Sequence, residues 1–173
     1  MDYFILERDV LYTDRIRPVW DGEPPELGQL GTAAPANLQP QPEILQLRVM
    51  DGEYPDYLET PVPLISKRFK PVFDAAAPGV LSLPAVLRNP AHMRQDLYWM
   101  IQAPAIDAVD RRSEFHKDGS LSRLIIDGER TGDYHVFRLT GIREPLIIVS
   151  LAMAESLLRR LCSGVRLRPV EIR

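Results

Sequence analysis

The sequence predicts an α+β fold: a mostly antiparallel or mixed sheet with two capped helices packed on it, and a long Pro-rich loop in the N-terminal part. Three observations predict this. Short β-prone runs with period-two alternation recur along the chain. Two stretches carry apolar residues at three- and four-residue spacing behind a serine. Residues 20–43 hold five prolines and three glycines, a composition that supports neither a helix nor a central strand. A length of 173 residues suits one domain with a real core. Residues 1–173 are therefore read as a single domain, with an acidic part over 1–60 that contains the Pro-rich loop 21–43, and a main body over 61–173.

In chain order, residues 2–8 (DYFILER) read as a short strand. The Pro-rich loop follows, and Trp20, Leu27 and Leu30 favour its wrapping over the body, because each would otherwise expose apolar area. EILQLRVM alternates, with Ile44, Gln46 and Arg48 on one face and Leu45, Leu47 and Val49 on the other, as in a half-buried strand. DGEYPDYLETPVP is an exposed connection. In PLISKRFKPVFDAAAPG, Ser66 is placed to cap a helix whose buried stripe is Phe69, Val72, Phe73 and Ala76. Pro71 is tolerable there only near the first turn, and Pro78-Gly79 ends the helix. Val80 to Leu87 is a strand whose Pro84 implies an edge or bulge position. LYWMIQAP is a further strand. LSRLIID and YHVFRLT, joined by GERTGD, predict a hairpin. Ser150 caps the second helix, Leu151, Ala154, Leu158 and Leu161 form its apolar face, and Gly164 stops it before the last strand, VRLRPVEI. The two helix passages echo each other: Ser66 lies 13 residues before Gly79 and Ser150 lies 14 before Gly164, and GVLSLPAVL and GVRLRPVEI follow. A repeated strand–helix–strand unit is the physical reading.

Composition narrows the function classes. With 45% hydrophobic and 26% charged residues the chain is too apolar for disorder. Residues 1–60 carry 12 acidic and 4 basic side chains, net −8, and residues 61–173 carry 12 acidic and 17 basic, net +5. Such asymmetry speaks to association and steering. No basic cluster is interleaved with aromatics or set in a recognition-helix pattern, so no nucleic-acid partner is expected. The start, MDYFILERDV, is unlike a secretory signal, and no apolar run approaches the ~18 residues of a membrane span. The cytoplasm is the expected compartment, with no membrane partner.

Catalytic chemistry finds little footing. Cys162 is the single cysteine, and at the last turn of a helix the dipole works against a thiolate. Acidic pairs at Asp107/Asp110 and Asp127/Glu129 lack histidine at ligand spacing, so no metal, cofactor or catalytic residue is assigned. The segment DGEYPDYLE differs: Asp51, Glu53, Asp56 and Glu59 are interleaved with Tyr54 and Tyr57. Aromatic anchors among carboxylates form a candidate protein-binding patch for a basic partner, with Trp20 as a further anchor. An ordinary acidic surface loop is the plain alternative.

YWMIQAPAIDAVDRRSEF, LIIDGERTGDYHVFRL and PLIIVSLAMAESLLRRLCSGVRLRPVEI, with the earlier PLISKRFKPVF, together resemble immunity protein family 11 of bacterial polymorphic toxin systems. Asp107, Asp110 and Ser113, then Phe137-Arg138-Leu139, Val149-Ser150 and Pro169-Val170 occupy the family's motif positions. The resemblance covers about residues 60–172, and the N-terminal third only through the opening strand and Trp20. Leu167 stands where the family has phenylalanine, and Pro71 interrupts the first helix. The resemblance implies an antidote that binds a cognate toxin or effector and needs no active site; it carries over no catalytic residue. A small enzyme with the Pro-rich segment as a lid over Cys162 or the acidic turns, and a regulatory binding module, are the alternatives.

Overall fold

The computed structural model describes residues 2–11, 14–25 and 44–173. From residue 26 onward the expected Pro-rich loop, with Leu27 and Leu30, lies outside the described residues. The elements are β1 (Tyr3–Arg8), β2 (Val19–Trp20), β3 (Leu45–Arg48), β4 (Tyr57–Leu58), β5 (Leu64–Ser66), α1 (Lys70–Ala76), β6 (Leu81–Asn89), β7 (Arg94–Gln102), β8 (Ala105–Ile106), β9 (Glu114–Phe115), β10 (Leu121–Arg123), β11 (Ile125–Ile126), β12 (Val136–Leu139), β13 (Ile147–Ser150), α2 (Leu151–Leu158), β14 (Val165–Pro169) and β15 (Glu171–Ile172). They form a five-stranded sheet, β14-β1-β13-β12-β8, a six-stranded sheet, β2-β3-β6-β7-β5-β4, and two small ribbons, β10-β9 and β11-β15. The pairs β3/β6, β8/β12 and β11/β15 are parallel and the others antiparallel, so the fold is α+β with mixed sheets.

The sequence echo has a counterpart in topology. β5 and β6 flank β7, and β13 and β14 flank β1, each strand antiparallel to the one it flanks. Each unit is thus a split β-α-β: two parallel strands joined through a helix, with a third strand inserted between them. The register agrees residue by residue. Ile65, Trp99 and Pro84 lie abreast in one unit, and Val149, Phe4 and Pro169 in the other.

Both helices share one core. Phe69, Val72 and Phe73 around α1 and Met153, Ala154 and Leu157 of α2 pack with Ile65 and Ile101 of the larger sheet and Ile147 and Val149 of the smaller. Each sheet buries its other face separately: Leu45, Leu47, Leu87 and Met100 for the larger, and Ile5, Phe137 and Ile148 for the smaller, the last three together with Ile126 of the β11-β15 ribbon.

Several expectations need correcting. Ser66 does not cap α1: Phe69 takes that position without a side-chain bond, and Pro71 lies in the first turn, where amide hydrogens have no intrahelical partner. Ser150 does cap α2, its Oγ accepting from the Met153 N–H at 3.3 Å. α2 ends at Leu158 rather than at Gly164; Leu161 turns the chain at φ 51°. Freed carbonyls are taken up by arginine, with Arg160 donating to Ser156 O and Arg68 to Leu161 O, both at 3.0 Å. The predicted hairpin over 121–140 does not form. β10 pairs with β9, β11 with β15, and β12 with β13 and β8. Pro84 is accommodated because the β3 pairing of β6 begins only at Ala85.

Candidate protein-binding surface

The β6–β7 hairpin turns through a 3-10 turn at Pro90–His92, capped by Asn89 Oδ1, which accepts from the Ala91 and His92 N–H groups at 3.1 and 3.4 Å. Met93 closes the turn at φ 50° and stands exposed. Asp51, just past β3, accepts from Asn89 Nδ2 and His92 Nε2, each at 2.8 Å, which locks the 50–52 turn to the hairpin tip beside exposed Met50. The Asn89 bond and then the His92 bond hold the Asp51 carboxyl below its usual pKa, since both favour the charged form. Arg94 lies over the Tyr54 ring, 3.7 Å from its centroid, and pairs with Asp96 at 2.6 Å. Burial pushes the Tyr54 phenol up.

The seven residues singled out from sequence therefore do not form one patch. Asp51 and Tyr54 meet the hairpin end, Glu53 pairs through its backbone with Asp14 and Ile16, and Trp20 stands half-buried against the core on β2, beside β3. Glu59 faces β1, accepting from the Arg8 N–H at 2.7 Å. Asp56 and Tyr57, 4% and 2% exposed, are interior groups and are not available as contacts. Asp56 accepts from Ser66 Oγ at 2.6 Å and from the Ser163 N–H at 2.8 Å, with Arg68 at 3.6 Å, because a buried carboxylate must be paired. Sequence polarity marked Asp56 as surface, whereas its partners lie far along the chain.

A group that sequence reasoning missed stands on the neighbouring sheet face. Asp21 accepts from Arg48 at 3.0 Å and faces Arg88 at 3.9 Å, so two guanidinium groups share one carboxylate. They border a cavity of about 470 Å³ that reaches Asn89, Met93 and Arg94. The only sequence signal was the outward position of Arg48 in EILQLRVM.

The immunity protein family Imm11 model matches residues 14–171. The chain belongs to this family. The match takes in the N-terminal part, so β2, β3 and the acidic turn lie within the Imm11 region and not outside it. A comparison with curated proteins finds no match.

The residues weighed for catalysis in this Imm11 protein are engaged otherwise. Asp110 is held by Arg112 at 2.9 Å and Asp107 by Arg130 at 3.2 Å. Burial first, and then the nearby Asp56, push the Cys162 thiol up, away from a reactive thiolate. His135 Nδ1 and Ser150 Oγ are 2.8 Å apart, a pairing with nucleophile–base geometry, but the hydroxyl is fully buried and also serves as the α2 cap. Among the described residues, no helix is long and apolar enough to cross a membrane.

Proposed function

We propose that this Imm11 protein is an antidote that binds a cognate bacterial toxin or effector, one to one, and neutralises it by covering part of its surface in the cytoplasm of the producing cell. The family match over nearly the whole chain carries this reading. The hairpin-end geometry supports it: Asp51 is held by Asn89 and His92, Tyr54 by Arg94 over its ring, and Trp20 by strand pairing before any partner arrives, so little freedom of these side chains is lost on contact. The product of the adjacent reading frame is the natural partner. Co-expression with it is expected to restore growth, and the two proteins are expected to elute as a one-to-one complex by size exclusion with light scattering. The absence of both rescue and complex would sink the proposal. An enzyme reading predicts instead that Cys162→Ala, Asp107→Asn or Asp110→Asn abolishes protection, whereas a covering antidote keeps protecting with each.

A further inference from the structure

The described residues cover only half of one face of the six-stranded sheet. Ile65, Trp99 and Ile101 lie against the shared helical core on that face. Strand alternation continues the face across β7, β6, β3 and β2 in two rows, Val19–Arg48–Arg88–Gln95 and Gln46–Val86–Leu97, and no described helix lies over these rows. Val19, Ile44 and Leu97 there are 56%, 50% and 46% exposed. Branched and long apolar side chains on an open sheet face, rimmed by polar groups, mark a surface that meets something.

The charges on the face indicate what that is. Arg48 and Arg88 stand directly abreast, an unfavourable pairing of like charges that Asp21 alone relieves among the described residues. Two guanidinium groups against one carboxylate leave a positive charge on the face. Three of the four carboxylates of the neighbouring acidic segment are already engaged: Asp51 with Asn89 and His92, Asp56 with Ser66 and Ser163, and Glu59 with Arg8. We infer that the toxin docks on this uncovered half-face and presents to Arg48 and Arg88 a carboxylate set among apolar side chains, rather than the basic surface that the acidic loop had led us to expect. This rests on the antidote reading and assigns the partner's chemistry.

Binding of the purified product of the adjacent gene to Arg48→Glu, Arg88→Glu and Leu97→Ser variants of the full chain tests it, with Tm measured in parallel and Arg88→Ala as a milder change should a reversal fail to fold. Each arginine reversal is expected to weaken binding roughly tenfold or more, chiefly through slower association, and to flatten the salt dependence seen with the unaltered chain. Leu97→Ser is expected to weaken binding with Tm unchanged. Normal binding by all variants overturns the surface and leaves the antidote reading standing, whereas failure of the unaltered chain to bind overturns both. Two further outcomes also overturn it: a homodimer of the unaltered chain that Arg48→Glu dissociates, which makes the face a self-interface, and a fall in Tm without loss of affinity on Leu97→Ser, which means that residues 26–43 cover the face.

Discussion

At Asp56, groups from two other stretches converge: Ser66 and Arg68 beside α1, and Ser163 past α2. Removing the carboxylate strands a buried hydroxyl and an amide, so Asp56→Ala is expected to cost about 2–3 kcal/mol by urea denaturation, and Ser66→Ala added to it much less than it costs alone. Additive losses would show that the two act separately. Two buried tyrosines set an alkaline limit. Burial first pushes the phenols of Tyr57 and Tyr98 up, and Tyr98 also donates to Pro55 O at 2.7 Å. A phenol raised in the folded state stabilises the fold below its unfolded pKa of about 10, and that contribution is lost as pH rises above it. Phenolate absorbance of these two is therefore expected to appear only together with unfolding. Asp110 behaves in the opposite sense, because the Arg112 side chain and then its N–H hold the carboxyl down at about 2. Its stabilising effect is present above the unfolded value of about 3.9 and fades as pH falls through the folded one. A carbon NMR titration should find that low midpoint, and Arg112→Ala should raise it.

Among elements, those written in local pattern were legible: the strand of residues 3–8, the alternation of β3, and α2 behind its Ser150 cap. Ser150→Ala is expected to cost about 1 kcal/mol and to speed amide exchange at Met153, with more lost if the His135 contact contributes. An unchanged exchange rate would mean that the capping bond is immaterial. Ser66 looked like the same device, but the residue after it continues a turn instead of a helix, and its hydroxyl is claimed by Asp56. The misread hairpin has the same origin. Alternation specifies that LSRLIID and YHVFRLT extend, but not their partners, which are chosen by the remote apolar faces each strand can cover. For the candidate surface, polarity identified the acidic segment, while the doubling of Arg48 and Arg88 exists only once β3 and β6 pair in parallel, 40 positions apart in sequence.

For the whole molecule, the two split β-α-β units share one helical core but are closed differently. The first unit takes its inserted strand, β7, from the hairpin that follows β6; the second takes β1 from the far end of the described chain. Tyr3, Ile5 and Leu6 are buried there, so deleting residues 2–8 is expected to abolish cooperative unfolding, and supplying them as a separate peptide should restore it. A deletion variant that keeps a sharp transition would show β1 to be dispensable. Closure by β1 also imposes an order in time. Tyr3 pairs with Ser150 and Arg8 with Val165, so this strand leaves the ribosome long before its neighbours exist. At roughly 5–20 residues per second the wait is on the order of ten seconds, during which an apolar segment has no edge to join. The unit around β7 can assemble meanwhile, and the last strands then enclose β1. Folding that depends on such distant pairings is slow, so newly made chains lag behind their own synthesis, and the folded protein present at any moment is the stock made earlier.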